Sequence, residues 1–145
     1  MQPIVSALVE VRRQLQGATA RRVPLLVKVS PDLAPADLVR SARLAYESGI
    51  DGIIATNTTV NRSGIAQRWR SRAGGLSGAP LRPLALQAVQ LLRTALGAGV
   101  PIVAAGGIDS ARHAQDAFDA GADLVQVYTG LIYRGPGLVR EIISA

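Results

Sequence analysis

Short apolar runs alternate with amphipathic stretches along nearly the whole chain. Residues 4–16 predict a first helix, and "PLLVKVS" (24–30) predicts a strand. "PADLVRSARLAYESG" (35–49) predicts a helix with Leu38, Ala42, Ala45 and Tyr46 at helical spacing and Gly49 as its C-cap. "DGIIAT" (51–56) reads as a second strand, and "LRPLALQAVQLLRTALG" (81–97) as a helix stopping near Gly97. "VPIVAAGG" (100–107) predicts a third strand. "DSARHAQDAFDAG" (109–121) predicts a helix with Asp109 or Ser110 as N-cap and Gly121 as C-cap. "ADLVQVYTG" (122–130) is a fourth strand and "GLVREIIS" (137–144) a last short helix. Strand followed by helix thus occurs four times, and strands this apolar make a parallel sheet covered by helices. An open doubly wound sheet satisfies the pattern. So does part of a (β/α)8 barrel, a fold that takes about 250 residues when complete. Residues 57–80 form a long connection rich in Gly, Ser, Thr and Arg. It follows the carboxyl end of a strand, where both architectures place their sites.

Composition narrows the picture. At 145 residues the chain is a single domain, 1–145, and at 48% hydrophobic it is globular. Aromatics make up 3%, so the core must be built from Leu, Val, Ile and Ala. There is no cysteine, which excludes disulfides and thiolate metal sites. No apolar run approaches the ~20 residues of a membrane span, and the opening residues do not read as a signal peptide. The net charge of +6 invites a nucleic-acid reading. The arginines are scattered, however, and Trp69 in "QRWRSR" is the only aromatic among basic residues, so no nucleic-acid partner is expected.

Candidate chemistry collects at one end of the sheet, where Lys28 and Ser30, "TNTT" (56–59), "AGGIDS" (105–110) and "YTG" (128–130) follow the four strands. The "GGIDS" turn runs into a helix, so its amides can approach an anion, and "YTG" adds further amides and a hydroxyl. Two such turns after the last two strands match the phosphate site common in (β/α)8 barrels, although plain tight turns would share the sequence. "GGLSG" (74–78) allows backbone approach to a flat ligand. The Asn57 amide can pair with the N–H/C=O edge of a pyrimidine or imide, or simply form an Asx turn. Lys28, the only lysine, lies in what reads as a buried strand, on one face with Leu26 and Ser30. An ammonium there calls for an anionic or electron-rich partner such as a reduced flavin, unless it snorkels to solvent. The sole histidine, His113, has no second ligand at metal spacing and reads as a surface residue; no metal site is expected. Asp32 suits a loop, and Asp37 suits the first turn of a helix.

The segments "VKVSPDL", "DGIIATNTT", "GGLSG", "PIVAAGGIDS" and "AGADLVQVYTGLIYRGPGLVREI" together resemble the quinone-dependent class of dihydroorotate dehydrogenase, in order and approximate spacing. The resemblance implies a (β/α)8 barrel of which this chain supplies strands five to eight, a half barrel of about four β/α units. It implies an FMN enzyme that oxidises dihydroorotate to orotate in de novo pyrimidine (UMP) biosynthesis, with a quinone as final acceptor. Carried over residue by residue, Lys28 and the Thr56 backbone meet the flavin. Asn57 and Thr58 hold orotate, and Gly78 and Gly107 let the backbone close on FMN. Tyr128 and Thr129 bind its phosphate; many relatives have serine where Thr129 stands. The family's catalytic serine and its quinone-admitting, membrane-touching segment belong to the front half, so no catalytic residue is assigned here. These 145 residues by themselves are expected to be inactive and self-associating. The intact family is expected at the cytoplasmic side of a membrane as a peripheral protein, and the chain itself in the cytoplasm. A stand-alone phosphate- or flavin-binding half-barrel module, a basic nucleic-acid binder and a different FMN barrel are the alternatives.

Overall fold

Four short parallel strands pair in chain order in the computed structural model, which describes residues 2–17 and 22–145. They are β1 (Leu26–Val29), β2 (Gly52–Ala55), β3 (Ile102–Ala105) and β4 (Leu124–Gln126). The helices are α1 (Gln2–Gln16), α2 (Pro35–Glu47), α3 (Arg82–Leu96), α4 (Ala111–Asp119), α5 (Thr129–Arg134) and α6 (Gly137–Ile143). Two single 3-10 turns, Gln67–Trp69 and Ala79–Leu81, lie between β2 and α3.

The register fixes two unlike faces. Lys28 pairs with Ile54, Ile54 with Val103 and Val103 with Leu124; one step on, Val29, Ala55, Ala104 and Val125 are in line. Because successive side chains alternate, the second row and its equivalents Ile53 and Ile102 point one way. They pack on Leu38 and Ala42 of α2, Ala88, Val89 and Leu92 of α3, and Ala114 and Ala117 of α4 in one apolar cluster. A smaller cluster of Val5, Ala45 and Ile50 seats α1 beside it. The other face carries no helix layer: Lys28, Gln126 and Leu124, at 63%, are exposed on its outer strands, while Val103 on the inner strand β3 is buried. Helices on one face alone exclude the doubly wound sheet. The architecture is half of a (β/α)8 barrel, with the bare face equivalent to the barrel's inside.

Several local expectations need correction. Tyr46 is exposed, and only Leu38, Ala42 and Ala45 of the expected α2 stripe are buried. Gly49 and Gly121 lie one residue past their caps, Ser48 and Ala120, where positive φ values of 99° and 106° end the helices. β4 stops at Gln126 rather than running to residue 130, because Thr129 already begins α5, a helix the apolar pattern hides. Ser110, not Asp109, caps α4, accepting from the His113 N–H at 3.2 Å. Among the described residues no helix is long and apolar enough to cross a membrane.

Candidate functional site

The carboxyl ends of all four strands open into one cavity of about 450 Å³. Lys28 reaches it from β1, and Thr56, Asn57 and Thr58 from the end of β2. Gly78 closes it from the long loop, Gly107 from the turn after β3, and Tyr128 and Thr129 from the segment after β4. The eight residues to which the family resemblance gives a binding role therefore line the same space, whereas Ser30 and Thr59, also read as strand-end candidates, do not. Lys28 is not buried as expected, because its face of the sheet is uncovered, but its side chain does line the cavity. Among the described residues the lining holds one ammonium and no carboxylate, a balance that favours an electron-rich or anionic ligand.

The β2 end is held by backbone bonds to both neighbours. Thr56 N–H donates to the Ala105 carbonyl at 2.7 Å, and Asn57 N–H donates to that of Val29 at 2.7 Å. The Asn57 side-chain oxygen accepts from Thr58 N–H at 2.9 Å, an Asx-type bond that leaves its NH2 group out of the interaction. Thr59, 1% exposed, donates its hydroxyl to Asp32, whose other oxygen accepts from Val60 N–H at 2.9 Å. Thr59 and Leu76 also exchange both backbone bonds, at 3.1 and 2.8 Å, so the long connection is pinned shut at its base. Gly75 is required there: a Cβ would lie 1.8 Å from the Thr58 hydroxyl.

The glycine turns close on one another. Gly107, at φ 71°, lies where a Cβ would come 2.5 Å from Arg82 Cβ and 2.8 Å from the Gly78 carbonyl. A Cβ on Gly130 would come 2.4 Å from the Ile108 carbonyl. Thr129 donates its hydroxyl to Ser77 at 2.9 Å, joining the long loop to the α5 start. Ser77, Gln126 and Gly130 also line the cavity; Ser77 and Gly130 lie in the "GGLSG" and "YTG" segments without an individual role in the sequence reading, and Gln126 is not singled out there at all. The signal for Gln126 is a lone polar position in the apolar β4 run, in phase with Tyr128.

His113 is a half-buried bracket rather than a surface residue. Its Nδ1 lies 2.6 Å from the Asp109 carboxylate, and the Arg82 guanidinium contacts the ring from α3. At the opposite end of the sheet the acids serve the fold. Burial pushes the Asp51 carboxyl up, but the Leu25 N–H and the Arg12 and Arg22 guanidiniums outweigh it and hold the group below the usual carboxylate range. Asp123 likewise accepts from Arg93 at 2.6 Å and from Ile102 N–H at 2.7 Å.

The family model described as dihydroorotate dehydrogenase matches residues 3–145. The chain is 46% identical to dihydroorotate dehydrogenase (quinone) of Pseudomonas putida KT2440, covering 100% of this chain and 43% of that protein. It is 50% identical to the Verminephrobacter eiseniae protein of the same name, covering 98% of this chain and 40% of the relative. Among solved structures, Eimeria tenella DHODH in complex with ferulenol superposes with a TM-score of 0.89 at 32% identity, covering 99% of this chain and 42% of that one. The chain thus spans about two fifths of the length of the curated relatives it matches. The match of the family model to nearly the whole chain, with these identities and the superposition of the half barrel, shows that the chain belongs to the dihydroorotate dehydrogenase family.

Proposed function

We propose that residues 1–145 are one domain, the carboxyl-terminal half of a quinone-class dihydroorotate dehydrogenase, and that the strand-end cavity holds flavin mononucleotide. The observation that carries this reading is the convergence of all eight predicted residues on one cavity with no carboxylate in its lining. The residues fit the group. Gly107 and Gly130 line the cavity where a Cβ would collide with the neighbouring turns, so only glycine lets these turns pack together with their backbone at the cavity wall, and the Thr129 hydroxyl lines the same space; backbone amides there would meet a phosphate. When bound, the flavin would accept the hydride, and with it both electrons, that dihydroorotate loses in becoming orotate; the second hydrogen would leave as a proton, and a quinone would take the electrons on.

The chain's own residues have binding and orienting parts. Lys28 places a compact positive charge against the electron-rich edge of the ring, and the Thr56 backbone borders it. Asn57 and Thr58 present amide and hydroxyl groups to the imide edge of the substrate. Gly78 lets the loop close over the ring, and Tyr128 and Thr129 border the phosphate. The proton acceptor is assigned to none of these, since the family's serine lies in the front half. Membrane contact at the cytoplasmic face and quinone access belong to the same front half in this reading. The bare inner face and the unpaired outer edges of β1 and β4 would drive these 145 residues, taken alone, to self-associate. A monomer in analytical ultracentrifugation would contradict that.

The test is dihydroorotate-dependent dye reduction by the purified chain. It is expected to be absent for the 145 residues alone and to appear when the front-half segment of a relative is added. Steady turnover by the chain alone would overturn the division of labour.

A further inference from the structure

A second cavity of about 260 Å³ lies against the first and shares Gly78, Gly107, Thr129 and Gly130 with it. Among the described residues its lining holds one carboxylate, that of Asp109. Asp109 backs directly onto the turn after β4: a Cβ on Gly130 would come 2.9 Å from both its Cα and its Cβ. Arg82 backs onto the turn after β3 in the same way, 2.5 Å from where a Cβ on Gly107 would stand. His113, on α4, joins the two. Its Nδ1 lies 2.6 Å from the Asp109 carboxylate, and the Arg82 guanidinium contacts the same ring. The Asp109 carbonyl accepts from Arg134 of α5 at 3.0 Å. The charge of Arg134, however, is paired with Glu141, so the imidazole, not a guanidinium, engages the Asp109 carboxylate. His113 itself lines neither cavity.

We propose that His113 is a positioning residue for the phosphate of the flavin nucleotide, acting through the Asp109 carboxylate that it holds. The proposal rests on the cofactor reading above. A free carboxylate beside a bound phosphate repels it, the more so where water is sparse. An imidazole N–H donated to that carboxylate, with a guanidinium on the same ring, offsets its charge and fixes its rotamer. Without His113 the carboxylate would be free to turn toward the glycine turns, where the phosphate would sit. Riboflavin has no phosphate and would not feel the change, a signature that lost packing alone would not give.

The full chain and its variants, each checked for folding by circular dichroism, are titrated with flavin mononucleotide and with riboflavin by flavin fluorescence. His113→Ala is expected to lower the ratio of the two affinities about threefold or more, the usual size of coupling through a residue that does not touch the ligand. Riboflavin binding should change little. Asp109→Asn removes the charge, so alone it does not narrow the ratio, and combined with His113→Ala it restores it. Arg112→Ala, whose guanidinium pairs with Asp116 on the same helix, leaves the ratio unchanged. An unchanged ratio in His113→Ala, a loss that Asp109→Asn does not restore, or an equal loss in Arg112→Ala would overturn the proposal and leave the cofactor reading standing. A starting chain with no preference for the phosphorylated flavin would overturn both.

Discussion

Gly130→Ala tests whether the two phosphate-side turns truly close on each other. Gly130 is the second residue of α5, and its φ lies outside the positive range, so backbone conformation does not forbid alanine. In an open helix the change would stabilise by about 0.4–1 kcal/mol, because alanine narrows the unfolded ensemble. Here the new methyl would come 2.4 Å from the Ile108 carbonyl and 2.9 Å from Asp109 Cα. Both obstacles are at the backbone, so the turn after β3 or the start of α5 must move, and overpacking of this kind costs about 1–3 kcal/mol. The expected net result is a loss of about 1–2 kcal/mol from those two contributions. Gly137→Ala is the matched comparison: it opens α6, also without positive φ, and its Cβ would meet nothing within 4 Å. That variant should gain stability. Urea unfolding followed by circular dichroism reads both. A Gly130→Ala chain as stable as Gly137→Ala would refute the close approach of the turns.

Two further outcomes follow from the packing and the ion pairs. Leu92, 0% exposed at the centre of the helix-facing core, should cost about 2–5 kcal/mol on truncation to alanine, read by the same urea curves. Asp51 is depressed in the folded chain, so its stabilisation is complete above its unfolded value of about 4 and is lost as pH falls through the lower folded value. Asp51→Asn should therefore lower stability at neutral pH by about 1.5–3 kcal/mol, the usual worth of hydrogen bonds to a charged group. Its deficit should shrink in acid, as thermal melts across pH would show.

The parallel sheet was legible because β1 to β3 are short apolar runs bounded by glycine, proline or polar residues, and each is followed by a helix-period stretch. The end of β4 was not. Val125, Val127 and Tyr128 continue the apolar run, and a six-residue α5 is too short to show its own period. Strand alternation correctly grouped Lys28 with Leu26, but it could not say what covers that face, and here no helix does. His113 looked exposed from its neighbours Arg112 and Gln115, whereas its bracket depends on Arg82, 31 residues away. Ion pairs such as Arg12 with Asp51 and Arg93 with Asp123 join segments distant in sequence, so local spacing could not show them.

Titration of the chain with flavin mononucleotide against riboflavin, followed by flavin fluorescence, tests the cofactor site most directly, because the two ligands differ only by the phosphate. The account predicts tighter binding of the phosphorylated form by about tenfold or more, the worth of charge-assisted hydrogen bonds to one anion, and a gap that narrows in Thr129→Val. Equal affinity for the two ligands, or a gap that Thr129→Val leaves unchanged, would contradict it.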